Sequence, residues 1–176
     1  MDVAVILTYR CNSRCSMCHI WQNPTSPEDE ISLGTLDKIP SNIDYLNLTG
    51  GEPTLREDLE AIVDLPYPRA MTLEISSNGS RPERLEPTIG RYPDVKIRFS
   101  LDGIGERNHW IRGELGGFER KRKATGAEMV RLPTSRRAGM GAANAACRRK
   151  HSVRSRTTSP AVDKRWKLHR DLALGL

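Results

Sequence analysis

Apolar residues along this chain come in short runs, set apart by longer stretches in which apolar and polar positions mix at helical spacing. Four runs, Val3 to Thr8, Tyr45 to Leu48, Met71 to Ile75 and Lys96 to Ser100, are rich in apolar or β-branched residues and predict short, buried parallel strands. The segments between them predict helices. Ser32 caps a short one that runs through Ile39 and stops at Pro40. Thr54 and Glu57 have the spacing of a capping box for a helix from Arg56 to Asp64, with Leu55, Leu59, Ile62 and Val63 as its apolar face and Pro66 beyond its end. Arg81 to Ile89 is a weaker helix: Pro82 suits a first turn, but Pro87 is expected to break the far end. His109 and Trp110 begin or flank a fourth helix. Strand and helix alternating in this way predict an α/β fold built of about four βα units around a parallel sheet.

The pattern stops after about Phe118, and the charge balance changes at the same place. Residues 1–118 hold 12 Lys and Arg against 18 Asp and Glu, whereas residues 119–176 hold 16 against 4, so the overall +6 averages two unlike halves. Only 8 of the last 58 residues are Ile, Leu, Val or Phe, too few to support a packed core. The chain therefore divides into a folded unit, 1–118, and a basic tail, 119–176, expected to be disordered or non-native. The run from Arg148 to Pro160 is its most polar part. A basic arm could hold nucleic-acid phosphates without sequence preference. Trp166 is, however, the one aromatic residue in the tail that could stack on bases, which counts against such a partner. A native extension is a second explanation. A frameshift or truncated gene, which produces an abrupt change of composition, is the favoured third. No repeat and no transmembrane run is evident, so no membrane partner is expected.

Candidate chemistry sits just after the first apolar run, where Cys11, Cys15 and Cys18 form a Cys-x3-Cys-x2-Cys group. No charged start with a long apolar core precedes it, so a reduced, cytoplasmic chain is expected and disulfides are not. Thiolates are preferred ligands of iron-sulfur clusters, and a fully ligated cluster takes four. Cys147 lies far along the chain in a segment of different character, so three local ligands would leave one position open for a small molecule. Zinc is an alternative, with His19 as fourth ligand, although four ligands within nine residues would strain a tetrahedron. Free buried thiols are the remaining reading.

The run from Thr8 to Trp21 resembles the cluster loop of the radical S-adenosylmethionine (radical SAM) enzymes, with Met17 where an aromatic residue commonly precedes the third cysteine. Three further motifs resemble that family in its order. Gly50-Gly51-Glu52-Pro53 follows the second strand, Ser76-Ser77-Asn78-Gly79 closes the third, and Ser100-Leu101-Asp102-Gly103 ends the fourth. Each would be an ordinary turn by itself. Together they identify the chain as similar to the N-terminal part of the radical SAM core, a partial parallel (βα) barrel whose strand ends converge on one mouth.

That resemblance implies a 4Fe-4S cluster on Cys11, Cys15 and Cys18, and an S-adenosylmethionine site. Gly50, Gly51 and the Glu52 carboxylate would receive the cofactor's amino group. Asn78, Ser100 and Asp102 would meet its ribose or carboxylate, and Arg112 resembles a basic carboxylate contact found in some members. The implied activity is an oxidoreductase-like radical enzyme that generates a 5'-deoxyadenosyl radical. A one-electron donor such as flavodoxin or ferredoxin would serve it, and the substrate is unassigned. His19 is expected in the loop without a ligand role, and Ile20 and Trp21 as packing behind it. Six βα units complete such a core, and only four are legible here, which is the second reason to expect truncation and leaves activity in doubt. The alternative from another class is a zinc-stabilised module whose basic tail binds nucleic acid.

Overall fold

The computed structural model describes residues 1–125 and 166–167. Cys147, the basic run from Arg148, His151 and His169 lie outside the described residues. Five strands, β1 (Asp2–Ile6), β2 (Ile43–Thr49), β3 (Ala70–Ser77), β4 (Lys96–Phe99) and the two-residue β5 (Trp166–Lys167), form one sheet in sequential order. Every neighbouring pair is parallel. Sequential parallel strands joined by helical crossovers are the wall of a (βα) barrel, and all loops that leave the strands' carboxyl ends emerge on one side.

The helices are α1 (Leu33–Leu36), α2 (Leu59–Asp64), α3 (Glu86–Arg91), α4 (Glu106–Arg112) and α5 (Gly117–Thr125). Register aligns Val5, Leu48, Ile75 and Ile97 in a row across the sheet. These four share a buried core with Leu36 of α1, Leu59, Ile62 and Val63 of α2, and Ile89 of α3. Each such side chain removed from water stabilises the fold by roughly 1.5–3 kcal/mol, more than helices this short could supply alone.

The strands, expected as short buried parallel strands, are apolar on one face. Alternate positions carry a polar network: Tyr45 donates to Glu74 (2.5 Å), Ser76 to Asn47 (2.9 Å) and Lys96 to Thr72 (3.4 Å), and Arg98 pairs with Glu74 (2.6 Å). The core shared with the described helices lies on one face, so the sheet keeps the period-2 alternation of a one-sided core.

Two helix starts differ from expectation. The Thr54–Glu57 capping box does not form; residues Pro53–Leu55 make a 3-10 turn, and α2 begins at Leu59. The reason is a competing acceptor, because the Thr54 amide and hydroxyl both donate to Glu52. Pro87 does not break α3: it occupies the first turn, where its missing N–H is not needed. Ser32 caps α1 as expected, accepting from the Thr35 amide at 3.1 Å.

The composition boundary at residue 118 falls inside α5. Phe118 and Lys121 are buried and Ala124 packs against the core, so the packed unit extends at least to Thr125. The backbone of Trp166–Lys167, also expected in a tail without strands, pairs with Ile97 and Arg98 of β4.

Candidate functional site

The three-cysteine loop leaves the carboxyl end of β1, and the other motifs leave the ends of β2, β3 and β4 beside it. None of the three cysteines is in a disulfide; Cys15 is buried, Cys11 half-buried and Cys18 exposed. Burial pushes the Cys11 and Cys15 thiols up, while Asn78 beside the first and Arg112 beside the second act the other way. Both neighbours are donors at the sulfurs: Asn78 Nδ2 lies 3.8 Å from Cys11 Sγ, and Arg112 Nη1 lies 3.8 Å from Cys15 Sγ. N–H groups aimed at sulfur stabilise thiolate character, so the donor set suits iron-sulfur ligation.

Asn78 also donates to Asn12 Oδ1 (2.7 Å), and Asn12 in turn donates to Ser80 (2.7 Å), which fastens the cluster loop to the turn after β3. Behind the loop, the Trp21 indole donates to the Cys15 carbonyl (3.4 Å) and the Arg14 guanidinium lies over its ring. Trp21 thus backs the loop, and His19 is exposed. Among the described residues no three of His, Cys, Asp and Glu are placed together to hold one metal ion.

Gly50 and Gly51 serve a close approach, but to the protein itself. Gly51 N donates to the Thr8 carbonyl (2.7 Å) and Glu52 N to the Arg10 carbonyl (2.9 Å), so the loop after β2 lies flat on the root of the cluster loop. Gly50 adopts φ 129°, open mainly to glycine.

Glu52 is sealed within the protein. Its side chain is 0% exposed, and all four of its hydrogen bonds come from donors of this chain: Thr54 N (3.0 Å), Thr54 Oγ1 (2.6 Å), Ser77 Oγ (2.9 Å) and Asn78 N (2.6 Å). Burial pushes this carboxyl up and the four donors oppose it. The carboxylate joins the ends of β2 and β3 through these bonds.

Asp102 and Arg112 pair with each other, Oδ2 to Nε at 2.6 Å, and Asn108, fully buried, accepts from the Asp102 amide at 3.2 Å. Ser100 N donates to the Ser77 carbonyl (3.0 Å), holding the β4 motif against that of β3. The structure thus brings all the sequence-derived site residues to one end of the sheet, with Arg112 arriving from the end of α4.

Three residues at this site carried no motif. Glu30 lies between Arg10 (Nε 2.6 Å) and Arg56 (Nη1 3.2 Å) and also accepts from Thr8. Burial pushes its carboxyl up, but hydrogen bonds from Arg10 and Thr8 outweigh this and hold it below the usual range. Lys121 runs beneath Gly79, where a Cβ would meet Lys121 Cγ at 2.8 Å, and pairs with Glu114 at 3.2 Å. Asn108 is the third.

Lys121 gives a pH test of the packed unit. Burial, aided by Arg112 and opposed by Glu114, lowers its pKa. The unfolded chain keeps this proton up to about pH 10.4, while the folded chain loses it earlier. Between those two points the unfolded state binds more protons, so stability rises with pH. Urea unfolding across the alkaline range is expected to show this rise in wild type and not in Lys121→Met; equal slopes in both would exclude a buried Lys121.

A family model described as the Radical SAM superfamily matches residues 5–130. A probable GTP 3',8-cyclase of Thermococcus kodakarensis is 32% identical over 111 residues, covering 58% of this chain and 35% of that protein. The Fe-coproporphyrin III synthase of Methanosarcina barkeri is 31% identical over 121 residues, covering 64% and 30%. A mycofactocin maturase of Mycobacterium tuberculosis is 37% identical over 124 residues, with the same 64% and 30%. The chain thus spans about a third of the length of these relatives.

Proposed function

Because the chain belongs to the radical SAM superfamily, we propose that its packed unit is the cluster and cofactor end of a radical enzyme. Proteins of this family typically bind a 4Fe-4S cluster and S-adenosylmethionine, and the relatives matched here are named cyclase, synthase and maturase. For this chain, Cys11, Cys15 and Cys18 are the cluster ligands, and the chemistry supplied by the bound cluster and cofactor is reductive release of a 5'-deoxyadenosyl radical.

The observation that carries this reading is the pair of side-chain donors aimed at two of the three sulfurs from elements far apart in sequence. The chain's own residues do the positioning. Asn78 and Arg112 orient the ligand sulfurs. The Gly50–Gly51 turn offers its carbonyls, rather than the sealed Glu52 carboxylate, to the cofactor's amino group. Ser100 and the loop through Asp102 edge the ribose and carboxylate side. A one-electron donor of the flavodoxin or ferredoxin kind is the expected partner, with a polar compartment such as the cytoplasm as its setting. No helix among the described residues is long and apolar enough to cross a membrane.

Low-temperature electron paramagnetic resonance of anaerobically reconstituted, dithionite-reduced protein tests the proposal. Wild type is expected to give a reduced-cluster signal whose shape changes when S-adenosylmethionine is added, and Cys15→Ala to give none. A wild type without a cluster would end this reading. A cluster signal indifferent to S-adenosylmethionine would reduce it to cluster binding alone.

A further inference from the structure

The last turn of α4 is the seat of the cluster loop. The Ile111 carbonyl accepts from Ser16 N (2.8 Å) and the Arg112 carbonyl from Arg14 N (3.1 Å), so the residues on either side of Cys15 are tied to one helix end. Gly113 makes this approach possible. It caps the helix in the left-handed region at φ 60°, and a Cβ there would lie 2.7 Å from the Arg14 carbonyl oxygen.

The Arg112 side chain continues the same contact. Its Nε lies 2.6 Å from Asp102 Oδ2, its Nη1 lies 3.8 Å from Cys15 Sγ, and it is only 12% exposed. A guanidinium is a fixed positive charge, and the ion pair with Asp102, close but without hydrogen-bond geometry, keeps that charge beside Cys15. Water cannot screen it effectively here, because Cys15 is itself buried.

We propose that Arg112 sets the reduction potential of the cluster through the Cys15 sulfur, with Asp102 as the carboxylate that aims it; this rests on the cluster-binding reading above. One-electron reduction adds one negative charge to the cluster. Arg112 exchanges no proton and forms no bond in that step, so its whole effect is to stabilise the reduced state by charge and hydrogen bonding. Such contacts at ligand sulfurs are among the features that set cluster potentials. Asp102 works against the effect by its own charge and for it by fixing the geometry.

The experiment is a redox titration of the reconstituted full chain followed by electron paramagnetic resonance, in wild type, Arg112→Gln, Arg112→Lys and Asp102→Asn. In Arg112→Gln the ratio of reduced to oxidised cluster at a fixed potential is expected to fall on the order of tenfold, a midpoint lower by ~59 mV for a one-electron couple. Arg112→Lys keeps the charge without the fork and is expected to fall between, and Asp102→Asn, which removes the opposing charge, to move the midpoint up. If Arg112→Gln loads poorly, the lowered midpoint of Arg112→Lys carries the test, because a rise in Asp102→Asn follows from the lost charge alone.

Equal midpoints in all loaded variants would overturn the inference while leaving the cluster reading intact. That outcome, joined to loss of the S-adenosylmethionine-induced change in signal in Arg112→Gln, would make Arg112 a contact for the cofactor's carboxylate instead. A wild type without a cluster would overturn both readings.

Discussion

Replacing Gly51 by alanine is expected to destabilise the protein by about 3 kcal/mol and to abolish cluster loading. A Cβ on Gly51 would overlap the Arg10 carbonyl oxygen and approach the Arg10 carbonyl carbon at 2.8 Å and the Tyr9 carbon at 3.0 Å. All of these are backbone atoms, which cannot rotate away as a flexible side chain would. Relief requires moving the strand end that launches the cysteine loop, or breaking the Gly51 and Glu52 hydrogen bonds to Thr8 and Arg10. Gly90, in α3, is the control: a Cβ there meets nothing within 4 Å, so Gly90→Ala should gain about 0.5–1 kcal/mol from helix propensity alone. Urea unfolding and iron content of the two variants check the contrast. A Gly51→Ala protein with wild-type stability and full iron content would show that the β2 loop does not support the cluster loop.

Glu52→Gln is the second large effect, with an expected loss of about 2–4 kcal/mol and a weakened cluster. A glutamine amide can accept with its oxygen from Thr54 and Ser77, but its NH2 group would then face the Asn78 amide, donor against donor. The alternative flip sets the NH2 against three donors. Either way a buried N–H loses its acceptor in a place that water does not reach. The disturbance then passes to Asn78, which holds Cys11 and Asn12. Chemical unfolding measures the first part and iron retention under chelator the second. If the variant were as stable as wild type yet failed to bind S-adenosylmethionine, the carboxylate would be a cofactor contact after all.

Much of this site could be read from sequence because its chemistry depends on residue type and spacing. The cysteine run and the three strand-end motifs name their residues, and each of the four strands overlaps its apolar run. What could not be read was direction. Gly-Gly-Glu specifies a carboxylate at the end of β2 but not which way it turns. The available signal was the set of short donors around it, Thr54, Ser77 and Asn78, which can satisfy a buried carboxylate from two strand ends at once. The strands' polar face was hidden for a similar reason, since runs this short do not distinguish one-sided from two-sided burial until the pairing register is known. Lys121 was lost to averaging: one amphipathic turn through Phe118 and Lys121 disappears in a composition taken over the whole basic tail. Glu30 had no pattern of its own, because its partners Arg10 and Arg56 lie on either side of it in sequence and meet only through the fold.

The bonds between the cysteine loop and the end of α4 also fix an order of events during synthesis. The Ser16 hydroxyl and the Ile111 carbonyl it contacts are 95 residues apart. At translation rates of roughly 5–20 residues per second, the cysteines leave the ribosome on the order of ten seconds before their seat exists. During that interval they are three thiols on an unsupported loop, open to oxidation or to stray metal. The bonds that seat the loop can form only after the fourth βα unit has emerged, so, on the proposed function, iron and sulfide delivered before that point would find ligands without this seat.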